Sequence, residues 1–593
     1  MRKRNFILFV ILNLFVLIVT ASSCGASNNA PGGTNSDMND GMYAPGYNGG
    51  SNVEDSFIGD INNEEYNKVT ENPFYNTTYQ QSSFFSMDSF TASYSNLRRY
   101  INSNMALNGD IIKTDELINY FSYDLEKPAG DDVFKVSAEM STAPWNTSHK
   151  VLTIGVTTKE DTLDSSNGNN IVFLIDVSGS MNSPNKIGLL KQAFSMLLDT
   201  LSPTDRISII TYASGVKTVC QGVYADNKEQ LKSAINNLKA SGGTNGSGGI
   251  QSAYNVARQY FIPEGNNRII LATDGDFNIG ISDKDELKEF IAEKAQNGIY
   301  LTCLGFGMGN YKDTTMEALA KNGNGGYAYI DSLQEAKKVL VDEINTTLVT
   351  VAKDVKNKVE FNPNIVESYR LIGYENKLLS EDQFNDETVD AGEVGSGHTT
   401  LVTYEIVLKD NASLEEAFNV QINYKDPKSN VSTSVKEGFT LAELANQTSE
   451  DHKFALCVVE FSLVLRNSKY RGTASYQSLI SRLYSLECIK TDEAKKEFVS
   501  LVELAYSKNL LAAPNYDDSQ VTITICTEYG FNQALCKTGT FVSNEVILNL
   551  IFNNKIPSGK RYEIALDEDF TRMYIGTNIT SNLTVYVREV YQG

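Results

Sequence analysis

The sequence predicts an α/β fold, a doubly wound (Rossmann-like) parallel sheet inserted in a β-sandwich. Three observations predict it. The apolar runs 171–175 and 269–272 each have the length and continuity of a strand covered on both faces, and each leads into a carboxylate, Asp176 and Asp274. Helical and strand-like patterns alternate between residues 169 and 350: helices at 189–201, 228–238, 252–261 and 333–348, strands at 206–212 and 300–306. The sequence turns strand-rich both before this block, at 151–156, and after it, at 359–361, 367–372, 401–408 and 417–424. Shared character on the two sides implies one sandwich interrupted by the α/β unit.

The first strand end carries the chemistry. Asp176, Ser178 and Ser180 alternate with Val177 and Gly179, so an extended turn points three oxygen-bearing side chains to one side. One carboxylate and two hydroxyls are too few for a hard divalent cation, which takes about six oxygens. Further donors are expected downstream, and two places offer them. The glycine-rich loop 241–246 presents Thr244, and the second strand ends in Asp274 at the crevice where open α/β sheets bind ligands. Taken alone, Asp-x-Ser-x-Ser is equally an Asx-type turn that closes a strand.

Asp-x-Ser-x-Ser, the Thr of Gly-Gly-Thr and the Thr-Asp-Gly strand end together resemble the metal-ion-dependent adhesion site of a von Willebrand factor type A domain. The resemblance implies that Ser178, Ser180 and Thr244 ligate an ion directly and that Asp176 and Asp274 hold its waters. It implies Mg²⁺, with Mn²⁺ or Ca²⁺ as alternatives, and a sixth position filled by an acidic side chain of a protein partner.

The chain has 593 residues, more than one ordinary core, with 73 acidic against 51 basic residues and a net charge of −22. No basic stripe interrupts that balance, which excludes nucleic acid as a partner. At the amino terminus Arg2, Lys3 and Arg4 precede an apolar run, 6–19, and then Ala21-Ser22-Ser23-Cys24. Residues 1–24 read as a signal peptide whose apolar run is too short to span a bilayer. The segment resembles a bacterial lipoprotein signal, although Ala21 stands where that family usually has Leu. The resemblance implies lipidation of Cys24 and a cell-membrane location on the extracytoplasmic face, while cleavage by an ordinary signal peptidase at the same bond stays open. Residues 25–80 are rich in Gly, Asn and Ser without apolar periodicity, a disordered tether with a mean reach of roughly 40 Å.

Residues 81–168 hold an amino-terminal module and the first sandwich strands. Tyr94, Leu97 and Ile101 define an amphipathic helix, and Thr114 opens a second one over Leu117, Ile118 and Phe121. With Ala143-Pro144-Trp145-Asn146, this segment resembles the module that precedes the A domain in a bacterial family of secreted von Willebrand factor type A proteins, with Phe90 at a position usually held by Asp. Its aromatic stripe reads as simple packing against the sandwich, with no role assigned to the module's acidic position. Residues 351–446 complete the sandwich, and YRLIGYEN with VDAGEVGSGHTTLVTYEI resembles the carboxy-terminal region of the same family. Within it, Asp390, Glu393 and His398 hint at a metal, but Gly392, Gly395 and Gly397 favour a turn between strands. Residues 447–509 read as a helical hairpin and 510–593 as a small β-domain.

Acylation of Cys24 leaves an even six of the seven cysteines. Cys220 and Cys303 read as core, Cys526 and Cys536 as a candidate disulfide, and Cys457 and Cys488 as residues that could meet across the hairpin. The functional expectation is a non-enzymatic extracytoplasmic lipoprotein that binds a protein partner through a metal-bridged A domain, in adhesion or in the assembly of an envelope complex. Two alternatives accompany it: a wall-associated spacer whose metal only stabilises the fold, and a metal-dependent hydrolase. The hydrolase lacks a base, because His149, His398 and His452 all lie outside the A domain and only Asp276 follows the second carboxylate.

Overall fold

The computed structural model describes residues 64–512, except 89, 162–167, 264, 276–283, 310, 428 and 446–447, and parts of the strand-rich segment from 520 to 590. The signal segment with Cys24, residues 25–63 of the expected tether and Asp276 lie outside the described residues. Residues 64–80, expected to belong to the tether, are instead part of the fold: Val69, Asn72 and Thr77 are buried, and Tyr75–Asn76 pairs with Ser368–Tyr369, because tertiary pairing orders a stretch that has no apolar periodicity of its own. Among the described residues no helix is long and apolar enough to cross a membrane.

The described chain opens with β1 (Tyr75–Asn76) and β2 (Ser82–Ser86), then α1 (Ala92–Asn102) and α2 (Thr114–Ile118). A long hairpin follows, β3 (Phe134–Ala143) and β4 (Asn146–Thr158). At its tip Trp145 is fully buried, but among the helices rather than in the sandwich.

The α/β unit runs from β5 (Asn169–Asp176) through α3 (Leu189–Thr200), β6 (Arg206–Tyr212), β7 (Val216–Tyr224), α4 (Lys228–Asn236), α5 (Gly246–Gln259), β8 (Asn266–Thr273), α6 (Lys284–Gln296), β9 (Ile299–Phe306), α7 (Asp313–Asn322) and β10 (Tyr327–Ile330) to α8 (Leu333–Lys337) and α9 (Ile344–Leu348). Its sheet order is β10-β9-β8-β5-β6-β7, parallel except for the edge strand β7. Alternation along β5 explains its wholly apolar stretch. Ile171, Phe173 and Ile175 enter the core on one face of the sheet, and Val172 and Leu174 the core on the other. The helix expected over 333–348 is broken instead: residues 338–342 form a π-turn, closed by the Glu343 amide donating to the Lys338 carbonyl at 2.8 Å.

After α9 the chain returns to the frame with β11 (Thr350–Phe361), β12 (Val366–Ile372), α10 (Glu381–Asn385), β13 (Gly392–Gly395), β14 (Thr399–Leu408), β15 (Glu416–Lys425), β16 (Ser432–Thr440) and α11 (Leu441–Leu444). One sheet is ordered β1-β12-β14-β4-β3, and the other β13-β11-β15-β16 with β2 also on β11. Strand β14 pairs antiparallel with β4 from Thr399↔Thr157 to Ile406↔Lys150. That ladder joins sequence before the α/β unit to sequence after it, so the unit is inserted into one sandwich.

The carboxy-terminal helices are three rather than a hairpin of two: α12 (Glu450–Leu465), α13 (Tyr476–Leu483) and α14 (Glu493–Ser507). Their apolar faces share one core with α1, α2 and Trp145, including Leu97, Ile101, Phe121, Phe454, Phe461 and Phe498. The amphipathic stripe of α1 therefore packs with these helices, in a core that also takes in Val151, Ile372 and Leu401 of the sandwich strands. Phe90 likewise packs edge-on to Tyr327 of β10, with ring centroids 5.8 Å apart, and the module's Asp88 accepts from Lys377 at 2.8 Å. Asp88 is thus a partner of the buried Lys377 ammonium.

The last segment contains β17 (Gln520–Thr527), β18 (Gly530–Lys537), β19 (Phe541–Val542), β20 (Arg561–Ala565), β21 (Thr577–Asn578) and β22 (Leu583–Val590). Its main sheet is ordered β18-β17-β22-β20. The β17–β18 register sets Cys526 opposite Phe531 and Cys536 opposite Val521. Strand rise of about 3.4 Å per residue separates those rungs by roughly 17 Å, far beyond disulfide reach, so the expected Cys526–Cys536 bridge is not formed in this register. Cys220, Cys303, Cys457 and Cys488 are free thiols, and Cys303 is fully buried.

His452 on α12 ties the helices to the sandwich. Its two ring nitrogens meet Ser141 Oγ on β3 and Thr153 Oγ1 on β4, both at 2.8 Å, and its side chain is buried. Burial first, and the Lys453 charge second, push its pKa down to about 4 from 6.5. A group with a depressed folded pKa contributes stability that is present above the unfolded value and lost as pH falls towards the folded one. Acidification from pH 7 to 4 should therefore cost about 3 kcal/mol through His452. Urea unfolding at a series of pH values should show His452→Gln with a visibly flatter acid limb; an unchanged limb would show that His452 is not buried as a neutral ring.

Candidate metal site

The site forms because two parallel strands end side by side. β5 and β8 are hydrogen-bonded neighbours, so Asp176 and Asp274 emerge at the same edge of the sheet, and both are buried. Asp176 Oδ1 accepts the Ser178 amide at 2.8 Å, the Asx-type closure that fixes the turn. Its Oδ2 accepts Thr273 Oγ1 at 2.9 Å, across from the partner strand. Both carboxylate oxygens are thereby aimed before any ligand is considered. Ser178 Oγ and Ser180 Oγ lie 2.9 Å apart, on the same side of the turn.

The third segment is stapled to the first through backbone. Gly179 donates to the Gly242 carbonyl at 2.9 Å, and Ser241 donates to the Val177 carbonyl at 2.8 Å. Close approach needs the missing side chain at Gly179, where a Cβ would stand 3.2 Å from the Gly242 oxygen. Gly242 itself adopts φ +86°, a conformation that favours glycine. Thr244 follows two residues later in this loop, just ahead of α5. Four of the five expected residues are thus brought together by hydrogen bonds or charge, and the fifth is delivered by a loop bonded to them.

Electrostatically the site calls for a cation. Burial, and after it the like charge of Asp274, push Asp176 up to about 6, against hydrogen bonds from Ser178 and Thr273 that hold it down. Two buried carboxylates and paired hydroxyl oxygens form a hard-oxygen donor set that suits a divalent ion. The protein also supplies a cation of its own: Lys186, from the π-turn Pro184–Gly188 after the motif, donates to Asp274 Oδ2 at 3.0 Å. Sequence reading missed Lys186 and Thr273. Thr273 was within reach of it, as the residue preceding the strand-end Asp, whereas nothing local marks Lys186.

The amino-terminal part of the described chain runs beside this edge. Glu65 bridges to Lys312, and Glu64 Oε1 accepts the Gly309 amide at 2.9 Å. Gly275, next to Asp274, has φ +87°, and a Cβ there would lie 2.6 Å from the Lys312 nitrogen.

The other carboxylate grouping differs from the one read in sequence. Asp390 and Glu393 converge with Asp354, with oxygens within 4.8 Å of one another, while His398 stays outside that cluster. Glu393 lies in β13 rather than in a turn. His398 is buried, its amide donates to Thr158 Oγ1 at 2.8 Å, and burial pushes its ring down to about 4.

Comparison with known proteins agrees with this architecture. Residues 170–362 match the family model described as "von Willebrand factor type A domain", residues 60–153 one described as "von Willebrand factor", and residues 346–507 one described as "Uncharacterized protein YfbK, C-terminal". The chain is 33% identical to the uncharacterized protein YfbK of Escherichia coli (strain K12), over 78% of this chain and 84% of that protein. It is 29% identical to the inter-alpha-trypsin inhibitor heavy chain H4 of Bos taurus over 42% of this chain, but spans only 28% of that protein. Among solved structures, a von Willebrand factor type A protein from Catenulispora acidiphila shares 16% identity at a TM-score of 0.36, covering 62% of this chain and 89% of that one. The chain therefore belongs to the YfbK family, proteins built around a von Willebrand factor type A domain.

Proposed function

We propose that the protein is a non-enzymatic binding protein that holds a protein partner through a divalent cation at the A-domain site. The observation that carries this reading is the convergence of Asp176, Ser178, Ser180 and Asp274 at one sheet edge, with the Thr244 loop bonded to them. Ser178, Ser180 and Thr244 would hold Mg²⁺, or Mn²⁺ or Ca²⁺, with Asp176 and Asp274 behind them. When bound, the ion supplies an open coordination position that an acidic side chain of the partner fills. Type A domains generally mediate protein–protein interaction through such a site, which supports the class of partner.

The chain's own residues do the rest. Thr273 and the Ser178 amide fix the Asp176 carboxylate, and Gly179 and Gly242 set the spacing between the two loops. In this reading Cys24 carries the lipid anchor at the extracytoplasmic face of the cell membrane, and residues 25–63 give the folded body its reach.

The full-length mature chain should gain about 2.7 kcal/mol from Mg²⁺ or Mn²⁺ at one hundred times the dissociation constant. Asp176→Ala and Asp274→Ala should abolish that gain while leaving the circular dichroism spectrum intact. Melting curves indifferent to metal and chelator would refute the site.

Capture of surface proteins on the immobilised mature chain should yield a partner retained with Mg²⁺, released by chelator and lost with Asp176→Ala. Retention that ignores chelator would show binding through another surface.

Replacing Cys24 with Ser should move the protein from the membrane fraction to the soluble extracytoplasmic fraction, because one acylated residue is the anchor in this reading. Absence of fatty-acid label on the wild-type chain would remove the anchor.

A further inference from the structure

At the amino ends of the A-domain strands, opposite the metal site, a cavity of about 370 Å³ lies between the A domain and the sandwich. That volume falls in the range of small-molecule sites. Its walls include Arg268 of β8, Thr302 of β9, Tyr120, Lys338, Glu393 of β13 and His398.

Most charges lining it are already matched. Lys127 pairs with Glu160, Lys338 with Glu343, and Asp342 with Lys337. Arg268 and Glu393 are the two without an ion-pair contact, although each lies within reach of the other's charge. Arg268 is 1% exposed, yet its hydrogen-bond partners are neutral: Thr302 Oγ1 at 2.8 Å, Thr350 Oγ1 at 3.3 Å and the Leu348 carbonyl at 3.5 Å. Its Nε has no hydrogen-bond partner, and its guanidinium lies over Tyr300 at 5.4 Å. Glu393 has a buried Oε1 that is also without a partner, and Asp390 and Asp354 stand behind it. Buried charges are normally paired and buried polar atoms satisfied. Here two residues that line one cavity each carry a buried polar atom without a partner, a donor on a cation and an acceptor on a carboxyl group.

We propose that this cavity binds a small zwitterion of the amino-acid class, its carboxylate on Arg268 and its ammonium group on Glu393. A carboxylate gives Arg268 a hydrogen-bonded anionic partner, which the protein supplies only at a distance through the Glu393 charge, and guanidinium–carboxylate recognition is the strong, directional form of that contact. An ammonium group donates to Glu393 Oε1, and Asp390 adds negative charge close by. A simple anion would leave the Glu393 side unsatisfied, and a simple amine would leave Arg268 without a hydrogen-bonded anion. Burial lowers Arg268 to about 10 against the Glu393 charge, and raises Glu393 well above the usual carboxylate range against the Arg268 charge.

The site does not depend on the metal, so the test is run on the mature chain in the presence of chelator. Melting temperature and isothermal titration calorimetry are measured with the free L-amino acids, β-alanine and γ-aminobutyrate. At least one should bind at one site, and its α-amide and N-acetyl forms should each bind at least about tenfold more weakly, a loss of about 1.4 kcal/mol. Glu393→Gln, which keeps shape, should weaken binding to a similar degree, and Arg268→Met should abolish it. Three results would overturn the proposal: no compound binding at millimolar concentration, an N-acetyl or amide form binding as well as the parent, or Glu393→Gln leaving affinity unchanged. The edited ligands test the wild-type chain, so the conclusion stands even if Arg268→Met fails to fold.

Discussion

The arrangement of the described chain depends on Arg98, a buried guanidinium on α1 that reaches three separate parts of the sequence. It donates to Asp331 at 2.5 and 2.8 Å and to Glu335 at 2.7 Å, both from the A domain. It also donates to Glu497 of α14 and to the Tyr120 hydroxyl, each at 3.1 Å. Its neighbours repeat the pattern. Arg99 pairs with Glu64, Lys113 with Asp313 and Glu317 of α7, and Lys377 with Asp88 and Asp115. Desolvation offsets much of the Coulomb gain of such pairs, so their number is a poor measure of stability. Their physical consequence is geometric. A buried cation satisfied only when an A-domain helix, the amino-terminal module and α14 meet at one point penalises every other arrangement of those parts.

That clamp gives the amino-terminal module contacts with the A domain, although the module contributes no strand to the A-domain sheet. The A domain is tied to the sandwich covalently at two places, before β5 and after α9, both at the amino-terminal edge of its sheet. The buried ion pairs of Arg98 and Lys113 add non-covalent contacts between the amino-terminal module and the A domain. The metal-site edge, at the far end of β5, lies seven residues and roughly 23 Å from Asn169. The functional edge is thereby held in a fixed relation to the frame without being covered by the frame's strands. The cavity at Arg268 sits where the two tethers meet, as expected of a junction between two cores whose faces are not complementary throughout.

Within the A domain, the same logic of satisfied polar groups builds the candidate metal site. Asp176 costs free energy to bury, and that cost is partly offset by the Ser178 amide and the Thr273 hydroxyl, which are the contacts that aim it. Lys186 on Asp274 adds a positive charge at a place where two carboxylates would otherwise face each other. Preorganisation and charge compensation are therefore carried by residues outside the five-residue motif.

The sequence by itself determined the features whose causes are local. The apolar run of β5 could only be a strand covered on both faces, and Asp176, Ser178 and Ser180 share a side because alternation within five residues requires it. Strand-rich sequence on both sides of residues 169–350 was enough to imply insertion, because strands before and after must find partners. Tertiary structure alone decided what depends on distant neighbours. Nothing near Tyr94, Leu97 and Ile101 distinguishes a sandwich from a helical bundle as the surface that buries them, since amphipathic periodicity specifies a face and not its partner. Lys186, Asp354 and the threefold reach of Arg98 carry no local signature, because long charged side chains find their partners through space. The cysteines of β17 and β18 show the converse. Proximity in sequence suggested a bridge, but strand register, set by the pairing of the whole hairpin, places the two on different rungs.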